Sequence, residues 1–133
     1  MGEVRIALND PVALEDLEPF FDGWYWTPST DARRALLTNS SVVATARTAN
    51  GQLVGLATAL TDGAFFGYLS FLEVLADYQG RGLGRQLVEQ IAAHLGHLYD
   101  IAAITDAEVV PFYEKTGFRP IPGVHLRRHP ATD

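Results

Sequence analysis

The stretch from Leu72 to Arg85, Leu-Glu-Val-Leu-Ala-Asp-Tyr-Gln-Gly-Arg-Gly-Leu-Gly-Arg, constrains this chain more than any other. An apolar run with strand character enters a turn holding glycines at 80, 82 and 84, and the turn opens into a helical pattern. Leu83, Leu87, Ile91, Leu95 and Leu98 recur every three or four residues, so 83–98 reads as one amphipathic helix. Glycines remove side chains where backbone N–H groups converge on a ligand, and a helix N-terminus adds about half a positive charge. The segment therefore reads as an anion site suited to a phosphate or pyrophosphate, with Arg81 and Arg85 adding side-chain contacts. The competing reading is an ordinary strand-to-helix turn that happens to hold glycines. Two better-known phosphate motifs fail. Gly84 is followed by Arg85-Gln86 rather than by Lys and Ser or Thr, and the G-x-G-x-G spacing is not that of a dinucleotide fingerprint.

The rest of the chain supplies the frame. Val4 to Leu8 alternates as a strand, and Asp10 reads as the cap of a helix that begins at Pro11 and ends near Phe20. A second helix is expected over Asp31 to Thr38. Three strands follow, Ser41–Thr48, Leu53–Leu60 and Phe65–Leu75, joined at the turn dipeptides Asn50-Gly51 and Asp62-Gly63. After the long helix come a short buried strand, Ile101–Ile104, and a short helix, Phe112–Lys115, ended by Gly117. A last strand is expected over Gly123–Arg128. This order predicts an α/β chain of the α+β type, a mixed sheet flanked by helices.

Composition narrows the function classes. A length of 133 residues predicts a single domain, 1–133, with a core that needs no disulfide or metal. The net charge of −6 argues against nucleic acid and against anionic lipid as partners, and mildly favours a cationic one. The chain has no cysteine, which excludes disulfides, thiolate metal sites and a cysteine nucleophile. No apolar run has the length of a membrane span and no basic region precedes an apolar stretch at the N-terminus, so a soluble, cytoplasmic protein is expected.

Gln79-Gly-Arg-Gly-Leu-Gly84 matches the Q/R-x-x-G-x-G/A motif of the GCN5-related N-acetyltransferase (GNAT) superfamily. Phe112-Tyr-Glu-Lys-Thr-Gly-Phe118 resembles that family's second signature, F-Y-x-x-x-G-F, and the element order resembles the family's over essentially the whole chain. The resemblance implies a GNAT fold, with a central, mostly antiparallel sheet in which two parallel strands splay apart to take acetyl-CoA as co-substrate, with no metal. It implies that the backbone of Leu72, Glu73 and Val74 pairs with the pantetheine arm, as an added strand would. It also implies that the amides of Gly80, Arg81, Gly82, Leu83, Gly84 and Arg85 hold the pyrophosphate, with Gln79 at the motif's Gln/Arg position. Tyr113 matches the tyrosine that protonates the departing CoA thiolate in many members; a purely packing role is the alternative. Glu73 is the best-placed carboxylate for a general base, provided burial raises its pKa, although strand alternation also allows it to face solvent. One position departs from the family. Asp106 stands where members often carry Asn, and it is expected to cap the turn before Pro111 or to touch the substrate amine.

Without a thiol, an acetyl-cysteine relay is impossible, so direct transfer in a ternary complex is expected. Phe20 to Trp26 places five aromatic rings in seven residues. By the resemblance this segment borders the acceptor site, where Asp22, Trp24 and Trp26 would suit a cationic amine. A flap packed on the core, or a contact between the copies of a homodimer, is the alternative. His94 and His97 read as solvated helix positions and Arg127-Arg128-His129 as a basic tail or strand edge. Two functions from different classes follow. The first is an N-acetyltransferase acting on a primary amine, a small molecule in preference to a protein; the second is a non-catalytic acetyl-CoA-binding sensor or subunit.

Overall fold

The computed structural model describes residues 2–128. Its sheet holds five strands, β1 (Val4–Leu8), β2 (Val42–Thr48), β3 (Leu53–Thr61), β4 (Phe66–Val74) and β5 (Asp100–Ala102), in the order β1-β2-β3-β4-β5. The first four pair antiparallel and β5 joins β4 in parallel, so the sheet is mixed as the sequence predicts. Three α-helices accompany it: α1 (Thr30–Asn39), α2 (Leu83–His94) and α3 (Val110–Glu114). Both hairpin dipeptides act as expected, since Gly51 and Gly63 adopt the left-handed conformation that the turns require. None of the helices in the described residues is long and apolar enough to cross a membrane.

Each face of the sheet carries its own core. On one face α2 lays Leu83, Leu87, Val88 and Ile91 against Val42, Ala44, Ala46, Val54, Ala57, Ala59 and Leu69. The small residues of β2 and β3 let the helix approach the sheet closely. On the other face Leu17, Phe20, Phe21, Val43, Leu53, Leu56 and Phe71 form a second cluster, with Leu36 and Leu37 of α1 packed against it.

A β-bulge interrupts β4. Thr58 pairs with Phe71 while the adjacent Ala59 pairs with Leu69, so Ser70 is the extra residue. Its hydroxyl lies 2.9 Å from the buried Thr58 hydroxyl, which gives both a partner. The bulge shifts the alternation by one. Leu69, Leu72 and Val74 face α2, whereas Tyr68, Phe71 and Glu73 share the opposite face.

Three expectations are corrected. The helix expected from Pro11 to Phe20 is a single 3₁₀ turn, Leu14–Leu17. Pro19 has no N–H to give the Glu15 carbonyl, which instead accepts from Glu18 N at 3.2 Å. Asp10 caps nothing there and pairs with Arg5 at 3.3 Å, while Asp16 accepts from Ala13 N and Arg47. The long helix closes at His94 rather than Leu98, with Gly96 in the turn that follows. The strand expected over Gly123–Arg128 does not form within the chain: residues 121–128 are exposed and pair with no strand among the described residues. Strand geometry needs a neighbour to pair with, and none among the described residues pairs with this segment.

Candidate active site

β4 and β5 pair only where Phe66–Tyr68 meets Asp100–Ala102. Beyond Tyr68, β4 runs on to Val74 held by β3 alone, so its other edge is open from Leu69 onward. This is the splay that the family resemblance implies. At its end Leu75 N donates to Val54 O at 2.9 Å, and a 3₁₀ turn, Ala76–Tyr78, leads into the glycines.

Gly80 (φ +82°) and Gly82 (φ +80°) are both left-handed, and Gly82 is the N-cap of α2. No heavy atom lies within 4 Å of where a Cβ would stand on either, so the turn faces open space. The first amides of α2 have no preceding carbonyl within the helix to bond. Backbone donors above an uncovered turn fit a pyrophosphate. The side chains contribute differently from the backbone. The Gln79 Nε2 donates to Val74 O at 2.9 Å, which ties the turn back to β4. The Arg81 guanidinium lies over the Tyr78 ring at 4.9 Å, and Arg85 bonds Glu89 one helical turn on at 3.0 Å. A Cβ on Gly84 would sit 3.4 Å from the Phe112 ring, so the two sequence motifs pack against each other.

Tyr113 lies on α3, half-buried, with its ring edge-on to Phe112 (5.0 Å) and Phe118 (5.4 Å). Its carbonyl accepts from Thr116 Oγ1, Thr116 N and Phe118 N, and this turn, completed by left-handed Gly117, fixes the tyrosine. Burial pushes the Tyr113 phenol above its ordinary value, and the Tyr68 phenol adds a smaller push in the same direction. The hydroxyl therefore keeps its proton at neutral pH. The sequence reading missed Tyr68. Its signal was a polar aromatic on the strand that enters the glycine turn, at the point where pairing with β5 ends.

Glu73, near the end of β4, is half-buried rather than solvent-facing. Its Oε1 accepts from Phe21 N at 3.0 Å, and the Trp24 side chain lies near enough to favour the charged form. Burial is the main influence and raises the Glu73 pKa; the Phe21 amide lowers it, the Asp22 charge raises it, and Trp24 lowers it again, with a net rise. Phe21 takes φ +70°, rare for a bulky residue, and it does so where its amide meets this carboxylate. Its ring meets Trp24 edge-on and Phe71 at a tilt, each at 5.0 Å, and Arg33 lies over it at 5.3 Å. Asp22, Trp24 and Glu73 thus come together from segments about 50 residues apart, while Trp26 stays 44% exposed.

The lesser candidates are also settled in place. Asp106 is the N-cap of the 3₁₀ turn Ala107–Val109, yet its carboxylate makes no capping bond; its carbonyl accepts from Val109 N instead. His94 ends α2, and His97 lies 3.1 Å from the Gly63 carbonyl. His129 lies outside the described residues. No group of three or more metal-ligating side chains occurs among the described residues.

Comparison with known proteins agrees with this geometry. The family model of the acetyltransferase (GNAT) domain matches residues 21–129. The uncharacterized N-acetyltransferase ycf52 of Pyropia yezoensis is 30% identical over 122 residues, covering 87% of this chain and 70% of the relative. The histone acetyltransferase TAP1 of Glycine max is 33% identical over 90% of this chain and 58% of its own length. A crystal structure assigned to the acetyltransferases, from Deinococcus radiodurans R1, superposes with a TM-score of 0.87 at 32% identity, covering 96% of this chain and 94% of that one. A splayed β4–β5 pair, a glycine turn capping α2 and a matching family model over most of the chain lead to one conclusion: this protein belongs to the GNAT acetyltransferase family.

Proposed function

We propose that this acetyltransferase moves the acetyl group of acetyl-CoA directly onto a primary amine, with a small cationic molecule as acceptor. The observation that carries this reading is the carboxylate of Glu73, half-buried with a raised pKa and ringed by Asp22 and Trp24 beside the open edge of β4. Two acidic side chains beside aromatic faces favour a protonated amine over a neutral one. The amides of Gly80 to Arg85 hold the pyrophosphate, and the backbone of Leu72, Glu73 and Val74 lies along the pantetheine arm. Glu73 takes a proton from the acceptor ammonium, and the freed amine nitrogen attacks the thioester carbonyl. A C–N bond forms, the C–S bond breaks, the CoA thiolate leaves with the Tyr113 proton, and the second proton shed by the new amide nitrogen restores the Tyr113 phenol.

The reaction releases one thiol per acetyl transferred, so a thiol-release screen against a library of amines tests it. Release with small cationic amines is the expected result. Acetyl-CoA binding with no release from any amine overturns the reading and leaves a sensor. The cofactor side has its own check. Gly82→Ala forces an L residue into a left-handed N-cap, a strain of about 1–2 kcal/mol. Lower thermal stability is expected together with weaker acetyl-CoA binding by calorimetry.

A further inference from the structure

Two non-glycine residues among those described have positive φ, Asn9 and Phe21. Asparagine tolerates the left-handed region, whereas a bulky phenylalanine holds it against the clash of its own Cβ. Gly23, two residues on, takes φ +80° without that strain, so the turn could have placed its glycine earlier. A strained residue persists only where its surroundings over-determine it.

Phe21 is gripped at two points of one strand. Its ring packs at 5.0 Å against Phe71, and its N–H donates at 3.0 Å to Oε1 of Glu73, two residues further along β4 on the same face. Trp24 and Arg33 close over the ring, which is 6% exposed, and the Arg33 Nε is itself anchored on Pro28 O at 3.2 Å. The angle φ is the rotation about N–Cα, so it fixes where the N–H points relative to the ring. With an ordinary negative φ and the ring kept on Phe71, the N–H turns away from Glu73. A glycine would keep the amide and lose the ring. Only a bulky residue in the strained conformation does both.

We infer that Phe21 is a positioning residue for the transfer: its main-chain N–H pins Oε1 of Glu73 and so holds the second carboxylate oxygen, Oε2, at the acceptor ammonium. The inference rests on Glu73 being the base. A carboxylate fixed at one oxygen has one orientation left to offer, and the proton moves only if that orientation meets the nitrogen. The same N–H favours the charged carboxylate, which offsets part of the push from burial and from Asp22.

The test removes the N–H and keeps the ring. Phe21→phenyllactate, introduced by nonsense suppression, exchanges the amide N–H for an ester oxygen. A fall of about 10- to 100-fold in kcat/KM is expected, with its acidic limb moved to higher pH. Phe21→Leu keeps the N–H, so its limb should stay in place whatever the loss of packing costs in rate. Carboxyl ¹³C spectra, assigned by the signal missing from Glu73→Gln, read the Glu73 titration without turnover and should move upward in the ester. One measurement needs no variant at Phe21: the wild-type Phe21 amide proton should shift with the Glu73 titration, and should lose that step in Glu73→Gln. An amide indifferent to the Glu73 titration, or an ester with an unmoved carboxyl, overturns the inference. So does a kinetic limb that vanishes in Glu73→Gln yet stands still in the ester, with Glu73 still the base. A limb that survives in Glu73→Gln removes the base, and with it the part of Phe21 in the reaction.

Discussion

Tyr113→Phe is expected to cut turnover by about 10²–10⁴-fold while leaving acetyl-CoA affinity and thermal stability unchanged. The substitution removes one oxygen and keeps the ring that packs edge-on to Phe112 and Phe118. Burial holds the phenol above its ordinary pKa, so the wild-type residue carries its proton throughout the neutral range. Without it the departing thiolate must take a proton from water. Steady-state kinetics beside equilibrium binding separate the two effects: kcat falls and Kd stays. Unchanged turnover across several acceptors would assign Tyr113 to packing alone.

The second large effect is expected at Glu73. Glu73→Gln keeps an oxygen for the Phe21 amide at the 3.0 Å position but cannot accept a proton. A loss of about 10²–10⁴-fold in kcat/KM is expected, and the pH profile distinguishes this from mere disturbance. In the wild type, kcat/KM should rise with pH through an apparent pKa above the ordinary glutamate range, because burial and the Asp22 charge hold the carboxyl up. The variant should lack that limb. Stability runs the other way. A raised folded-state pKa contributes stability that is full below the unfolded glutamate value and is lost as pH rises through the folded one. Glutamine mimics the protonated form, so its stability relative to wild type should improve across that window. A variant that keeps the acidic limb would remove Glu73 from proton transfer.

Local signals carried the meander and the cofactor side. Asn50-Gly51 and Asp62-Gly63 demand left-handed backbone, and so does the turn before α2, which makes these positions readable from residue type alone. The acceptor side was readable only in parts. Glu73, Asp22 and Trp24 each stand out, but their meeting depends on the 20–26 segment folding over a strand 52 residues further along. Tyr68 was hidden for a different reason. A period-2 reading from Glu73 back along β4 skips it, because Ser70 inserts a residue that periodicity does not reveal. At the termini, tertiary context overrode pattern. Pro19 cut the first helix to one 3₁₀ turn, and Gly123–Arg128 has strand alternation with no pairing partner among the described residues.

That extra residue in β4 gives the strand two reading frames. In the frame after Ser70, Leu72 and Val74 serve the core; in the frame before it, Gly67 and Leu69 do. The polar positions change frame with them, so an odd sequence interval between Tyr68 and Glu73 still delivers both to one side of the sheet. Removing Ser70 would restore a single frame with both phases facing as before, and would bring Tyr68 one residue nearer to Glu73. Point substitutions can vary the chemistry of this site, but its spacing changes only in whole residues.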